Sequence, residues 1–224
     1  MGAFVTPPLS RAPRSPAGGT RLLEFPGGVL LHTGLPNPGL KVAVRRYGPG
    51  WARAALPVIV HLIGESAAVL EMMVAAVETL EGVSAVEVGI PPDADAGLTT
   101  SLTRAARGEL PLIVRLPLNR AVDLAPAAIE SGADMISLGP PRGRLVDGRG
   151  NPVSGRLYGP AIFPQALWVV ETLAETGIPV IGGGGVFQAG DVEALLAAGA
   201  AAVQLDLALW RVQRSSQMVT GPSL

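Results

Sequence analysis

Residues 130–138, ESGADMISL, and residues 197–205, AAGAAAVQL, follow one plan. A helix-like segment ends in glycine, a tight turn follows, and a short apolar strand begins. Glycine takes the left-handed conformation that caps a helix and turns the chain back. Outward from these two phrases, short apolar runs alternate with helix-like segments. LPVIVHLIG (56–64), SAVEVGI (84–90), LPLIVRLPL (110–118), ADMISLG (133–139), IPVIGGGG (178–185) and AAAVQLDLALW (200–210) read as strands. Between them lie ESAAVLEMMVAAVETLEG (65–82), TTSLTRAARG (99–108), AVDLAPAAIESG (121–132), PAIFPQALWVVETLAETG (160–177) and AGDVEALLAAG (189–199). In the first of these, Val69, Met72, Met73, Ala76, Val77 and Leu80 recur at helical spacing; in the fourth, Pro160 stands near the first turn.

Strand–helix units in succession, at a repeat of roughly 25 to 35 residues, imply parallel strands joined by right-handed crossovers. The repeated helix–glycine–strand phrase points to a (β/α)8 TIM barrel, α/β in class, formed as a single domain over residues 1–224. A doubly wound open sheet is the alternative, and it needs a reversal of strand order. With GAFVT (2–6) as a strand the count reaches about seven against the eight of a closed barrel, so the first strand is expected to be lacking. RLLEFPGGVLL (21–31), with its central Pro-Gly-Gly, predicts a small β-hairpin over one barrel end. NPGLKVAVRRYGPGWARA (37–54) predicts a helix interrupted at Gly48-Pro49-Gly50, and PPRGRLVDGRGNPVSGRLYG (140–159) a polar, solvated loop; the arginines of its stretch PRGRLVDGRG (141–150) could instead grip an anion.

Composition narrows the function. The chain of 224 residues is 48% hydrophobic and 16% charged, with a formal net charge of -1. No basic stripe marks a nucleic-acid partner, and no apolar run approaches the ~18 residues of a membrane span. The N-terminus does not read as a signal peptide, so a cytoplasmic protein is expected. Cysteine is absent, which excludes disulfides, thiolate metal sites and a cysteine nucleophile. No His/Asp/Glu cluster has metal-ligand spacing, and no Ser-His-Asp triad can be assigned. His61, inside VIVHLIG, reads as a hydrogen-bonded interior histidine, with an acid–base role at the barrel mouth as the alternative. Glu87 alternates with valines and is expected to pair with Arg115 on the next strand.

Gly182–Gly185 form the other conspicuous feature. Loops after the seventh and eighth strands of such barrels commonly build a phosphate site, and glycines let an anion approach backbone donors. The same run also serves simply as a tight strand-to-helix turn.

Residues 159–205 resemble the C-terminal part of dihydroorotate dehydrogenases, with a Gly-Pro-Ala helix entry, IPVIGGGGV, the Asp191-Val192 pair, and AVQ. GLPNPGL (34–40) resembles the family's GLQNPG, and VEV, IVRLPLN and GADMISL follow in family order. The resemblance implies an FMN-dependent barrel that oxidises dihydroorotate to orotate in pyrimidine synthesis, with a Cys or Ser base. It implies that Gly155, Gly183, Gly184, Gly185 and Arg115 stand where that family holds its flavin, and Asn37 and Asn119 where it holds substrate. The chain departs from the family where chemistry is done. Pro7 stands near the place of a lysine, Leu31 of an asparagine, and Gly89, Pro91 and Pro92 of asparagines and the base. Arg115 replaces a lysine, Pro140-Pro141 an Asn-Thr pair, and Asp206-Leu207 the Gly-Thr beside the phosphate; Arg156 and Tyr158 alter the loop GGLSG. No catalytic residue is assigned. The expectation is a barrel without the standard oxidation, retaining at most a weak FMN or phosphate-ligand site, or serving as a structural partner in a homo-oligomer or with a subunit that completes the barrel. A working FMN oxidoreductase is the alternative.

Overall fold

The computed structural model describes residues 2–206. Seven parallel strands form one sheet: β1 (Phe4–Val5), β4 (Val58–Leu62), β5 (Val83–Gly89), β6 (Leu112–Pro117), β7 (Met135–Gly139), β10 (Val180–Gly182) and β11 (Ala202–Val203). They stand side by side in chain order with no reversal, which excludes the doubly wound alternative and gives the barrel ordering. β1 and β11 end the sheet and are not paired with each other among the described residues, in keeping with the expected lack of one barrel strand. Of the strand expected over 200–210, Ala202–Val203 form β11 and residues 204–206 are not in a strand; residues 207–210, Leu207 among them, lie outside the described residues.

Helices α2 (Ala67–Glu78), α3 (Ala96–Ala105), α4 (Ala121–Glu130), α5 (Phe163–Glu175) and α6 (Ala189–Ala197) connect successive strands. Their starts are set locally. Ser66 accepts from Val69 N–H, Asp95 accepts from Leu98 N–H at 2.7 Å, and Asp191 accepts from Phe187 and Gln188 N–H. Their ends repeat the sequence phrase. Gly132, Gly177 and Gly199 have φ of 106°, 77° and 101°. At each, the glycine N–H bonds three residues back and the next N–H bonds five back, as in Ala133 to Ala128 and Ala200 to Leu195. One Schellman turn thus closes three successive helix-to-strand junctions. Apolar faces pack inward from these helices: Leu70, Met73 and Val77 of α2 and Val169, Val170 and Leu173 of α5 are buried against strand residues such as Val60, Val86 and Ile136. Burial of each such side chain is worth about 1.5–3 kcal/mol.

Two expectations need correction. Helix α1 (Leu40–Trp51) runs unbroken through Gly48-Pro49-Gly50. Pro49 sits in the last turn and Arg45, whose carbonyl loses an N–H partner, is exposed, so solvent takes over that bond. The segment 140–159 is not a loop but a hairpin of β8 (Arg142–Val146) and β9 (Pro152–Tyr158). It joins the expected hairpin β2 (Leu22–Phe25) and β3 (Gly28–Leu31) in a four-stranded antiparallel sheet of order β2-β3-β9-β8. The polar turn between β8 and β9 is organised by Asp147, whose carboxylate accepts N–H bonds from Arg149 and Asn151 at 2.9 Å each. Those bonds hold its carboxyl below the usual range.

Candidate functional site

A cleft of about 790 Å³ opens at the C-terminal ends of the barrel strands, where barrel sites are built, and it falls in the size range of small-molecule pockets. Ile63 and Gly64 line it after β4, Ile90 after β5 and Pro140 after β7, and the four-stranded sheet contributes Leu31, Arg142, Arg156 and Tyr158. The other face of that sheet buries Leu30 and Val153.

Beneath the cleft, four adjacent strands each place one polar side chain in the barrel interior. Glu87 of β5 is 1% exposed. Its Oε2 accepts from the Ser137 hydroxyl of β7 at 2.7 Å. Its Oε1 lies 3.1 Å from His61 Nδ1 of β4 and 3.5 Å from Arg115 NH1 of β6. Arg115 in turn donates to the Gln204 side-chain oxygen. The expected Glu87–Arg115 pair is present, and His61 and Ser137 extend it. Burial alone would raise the Glu87 carboxyl; Arg115, His61 and the Ser137 hydroxyl outweigh it and hold the group below its ordinary value.

Burial lowers His61 from 6.5 to about 4, with Glu87 opposing and Arg115 and Arg156 assisting. The ring is therefore neutral at pH 7, and its contact with Glu87 is polar rather than an ion pair. His61 Nε2 is buried without a hydrogen-bond partner among the described residues, while the ring borders the cleft. A histidine whose folded pKa is depressed favours the unfolded state, which binds the extra proton, wherever the pH lies between the two values. Stability should thus be full above about pH 6.5 and fall as the pH drops towards 4, by about 3 kcal/mol in all. Urea titrations at pH 7.5, 5.5 and 4.5 check this, with His61→Gln flattening the slope. An unchanged midpoint in the wild type over that range would contradict it.

The glycine run follows β10. Gly183, Gly184 and Gly185 border a space of only about 10 Å³, shared with Arg115, Tyr158, Gln204 and Asp206, which is room for about one water. Backbone conformation accounts for Gly184, and conformation and packing together for Gly185. Gly184 and Gly185 have φ of 107° and 71°, and a Cβ on Gly185 would lie 2.3 Å from the Phe163 backbone nitrogen at the start of α5.

The remaining expected site residues are dispersed. Arg115 reaches the cleft. Gly155 lies in β9 against the backbone of Leu31 and does not border the cleft. Asn119 is exposed in the 3-10 turn after β6. Asn37 is buried, and its amide is consumed in holding the chain. It accepts from Ser10 and Gly39 N–H and donates to Ser10 Oγ and the Leu35 carbonyl. The sequence reading did not place Arg14 or Arg156 in a site; it allowed Arg142 only as one of the loop arginines that could grip an anion, and the structure puts it on the cleft. The strand-like alternation of 142–146, where Arg142 and Arg144 share one face, was the signal available for Arg142.

The family model described as nitronate monooxygenase matches residues 96–216. Among relatives, the chain is 32% identical to the dihydroorotate dehydrogenase B (NAD(+)) catalytic subunit of Pelobacter propionicus, over 98% of this chain and 79% of that protein. It is 34% identical to the protein of the same name from Trichlorobacter lovleyi and 33% to that from Desulforudis audaxviator, each over 93% of this chain and 75% of the relative. Among the described residues no helix is long and apolar enough to cross a membrane. Identity at this level over nearly the whole length, together with the strand order and the Schellman-turned junctions, establishes that the chain belongs to the dihydroorotate dehydrogenase family.

Proposed function

We propose that the protein is a member of this family that does not oxidise dihydroorotate and acts as a non-redox, ligand-binding barrel in one domain. The observation that carries this reading is the makeup of the cleft. A base must come within hydrogen-bond reach of the proton it takes. Where the resemblance puts the base and its companion asparagines, the cleft offers Gly89, Pro91 and Pro92, which have no side-chain proton acceptor. The residues present do not fit FMN in the family's manner either. The space at the glycine run is water-sized and Asp206 borders it, and a carboxylate beside a phosphate opposes binding.

A structural role fits the same picture. The relatives are named catalytic subunits, a term that implies an assembly, and among the described residues the two end strands of the parallel sheet are paired on one side only, leaving edges of the kind that pair with another chain.

One observation favours the second reading, a working flavin oxidoreductase with another substrate: His61 is neutral, held against Glu87, and borders the cleft. Titrating the purified chain with FMN separates the two. The expected result is a colourless protein that neither quenches flavin fluorescence nor shifts its absorbance. Yellow protein that releases flavin on heating would end the non-redox reading.

A further inference from the structure

Among the described residues, the cleft carries more positive charge than its carboxylates neutralise. Arg14, Arg115, Arg142 and Arg156 border it, against Asp206 at its edge and Glu87 beneath Arg115. Arg142 and Arg156 are direct cross-strand partners in the β8–β9 register. Like charges at that position repel and destabilise a sheet. Neither arginine forms an ion pair with a carboxylate among the described residues. Arg156 is half-buried, and burial, with Arg142, Arg115 and Arg14 nearby, lowers its pKa against the pull of Tyr158. A half-buried cation beside other cations is retained at a cost unless something occupies the space between them.

We propose that the guanidinium pair Arg142–Arg156, with Arg14 on the same cleft, binds the head group of a small dianion, a phosphate monoester or a dicarboxylate. Among the described residues, four arginines against two carboxylates leave a surplus of about two charges, which a dianion matches. Planar guanidinium forks suit both carboxylate and phosphate oxygens. The body of the ligand lies on the apolar wall made by Ile63, Ile90 and Pro91. The inference takes the cleft as the ligand site proposed above and adds the class of ligand.

The test uses the full chain at pH 7.5, following thermal unfolding and calorimetric titration with inorganic phosphate and with succinate. Acetate and chloride serve as controls at matched ionic strength. The expected result is a saturable rise in melting temperature with a dianion, absent with acetate or chloride. Tighter phosphate binding marks a phosphorylated ligand, and tighter succinate binding marks a dicarboxylate. Arg142→Gln and Arg156→Gln should each weaken binding at least tenfold while raising the melting temperature of the ligand-free protein, because each removes the repulsion. Arg142 is exposed, so its variant tests the idea even if Arg156→Gln does not fold. The proposal is overturned if dianions stabilise no more than chloride does. It is also overturned if Arg142→Gln keeps full phosphate affinity or lowers the melting temperature of the ligand-free protein. Flavin spectra remain a separate readout: FMN that binds and is displaced by phosphate would sink the non-redox reading and leave the anion site standing.

Discussion

Replacing Glu87 with alanine should destabilise the protein by about 3–5 kcal/mol, the range for removing one partner of a buried charged cluster. The carboxylate is 1% exposed and faces Arg115, His61 and Ser137 from three neighbouring strands. Without it, Arg115 keeps Gln204 as its polar partner but loses the opposite charge that offsets its desolvation. The Ser137 hydroxyl, itself fully buried, loses its acceptor. Glu87→Gln retains an acceptor for Ser137 and the side-chain shape, so it should fall between alanine and wild type. Denaturant midpoints for the pair, compared at equal slope, measure both losses. A deficit below about 1 kcal/mol for the alanine variant would mean that the charges under the cleft are solvated rather than mutually held.

Gly185→Ala should cost about 2–5 kcal/mol. Part arises from φ, since 71° is left-handed and costs an alanine about 1–2 kcal/mol. The rest is overpacking, typically 1–3 kcal/mol, because the new methyl would meet the Phe163 nitrogen at 2.3 Å and its Cα at 2.7 Å. Gly183→Ala is the control. Its Cβ would come no closer than 3.4 Å to any neighbour, so thermal unfolding should register little change. The contrast decides what the glycine run is for. If it serves backbone packing against α5, stability tracks Gly185 and ignores Gly183. Equal tolerance of alanine at both positions would show that packing against α5 is not the constraint.

The fold was readable because its signals are local and repeat. A glycine after each of α4, α5 and α6 caps the helix by the same pair of backbone bonds, and that chemistry depends on neighbouring residues alone. The β8–β9 hairpin was missed for the opposite reason. Arg142, Gly143 and Arg144 have little intrinsic strand preference, and what fixes them is pairing with residues 154–156 and, through β9, with β3 far earlier in the chain. Proline in α1 misled because its cost depends on whether the orphaned carbonyl reaches water, which is a property of the fold.

The site was legible only where a side chain has one sensible fate. A carboxylate among valines on an interior strand must find a cation, and Glu87 found Arg115. Asn37 has four ways to bond, and nothing in its neighbours announces that Ser10, Leu35 and Gly39 take them all. Arg142 and Arg156 meet across one hairpin, whereas Arg14 reaches the same cleft only through tertiary geometry, since it lies far earlier in the chain.

His61, Glu87, Arg115 and Ser137 come one each from β4, β5, β6 and β7. Side chains alternate between the two faces of a strand, so a slip of one residue anywhere in this set would point a charged or polar group at the helices. Misaligned sheets are therefore penalised by an orphaned charge in an oily layer, in a way that interchangeable valines could not achieve. The polar cluster works as a lock with four tumblers, closing only when every strand has stopped at its proper height.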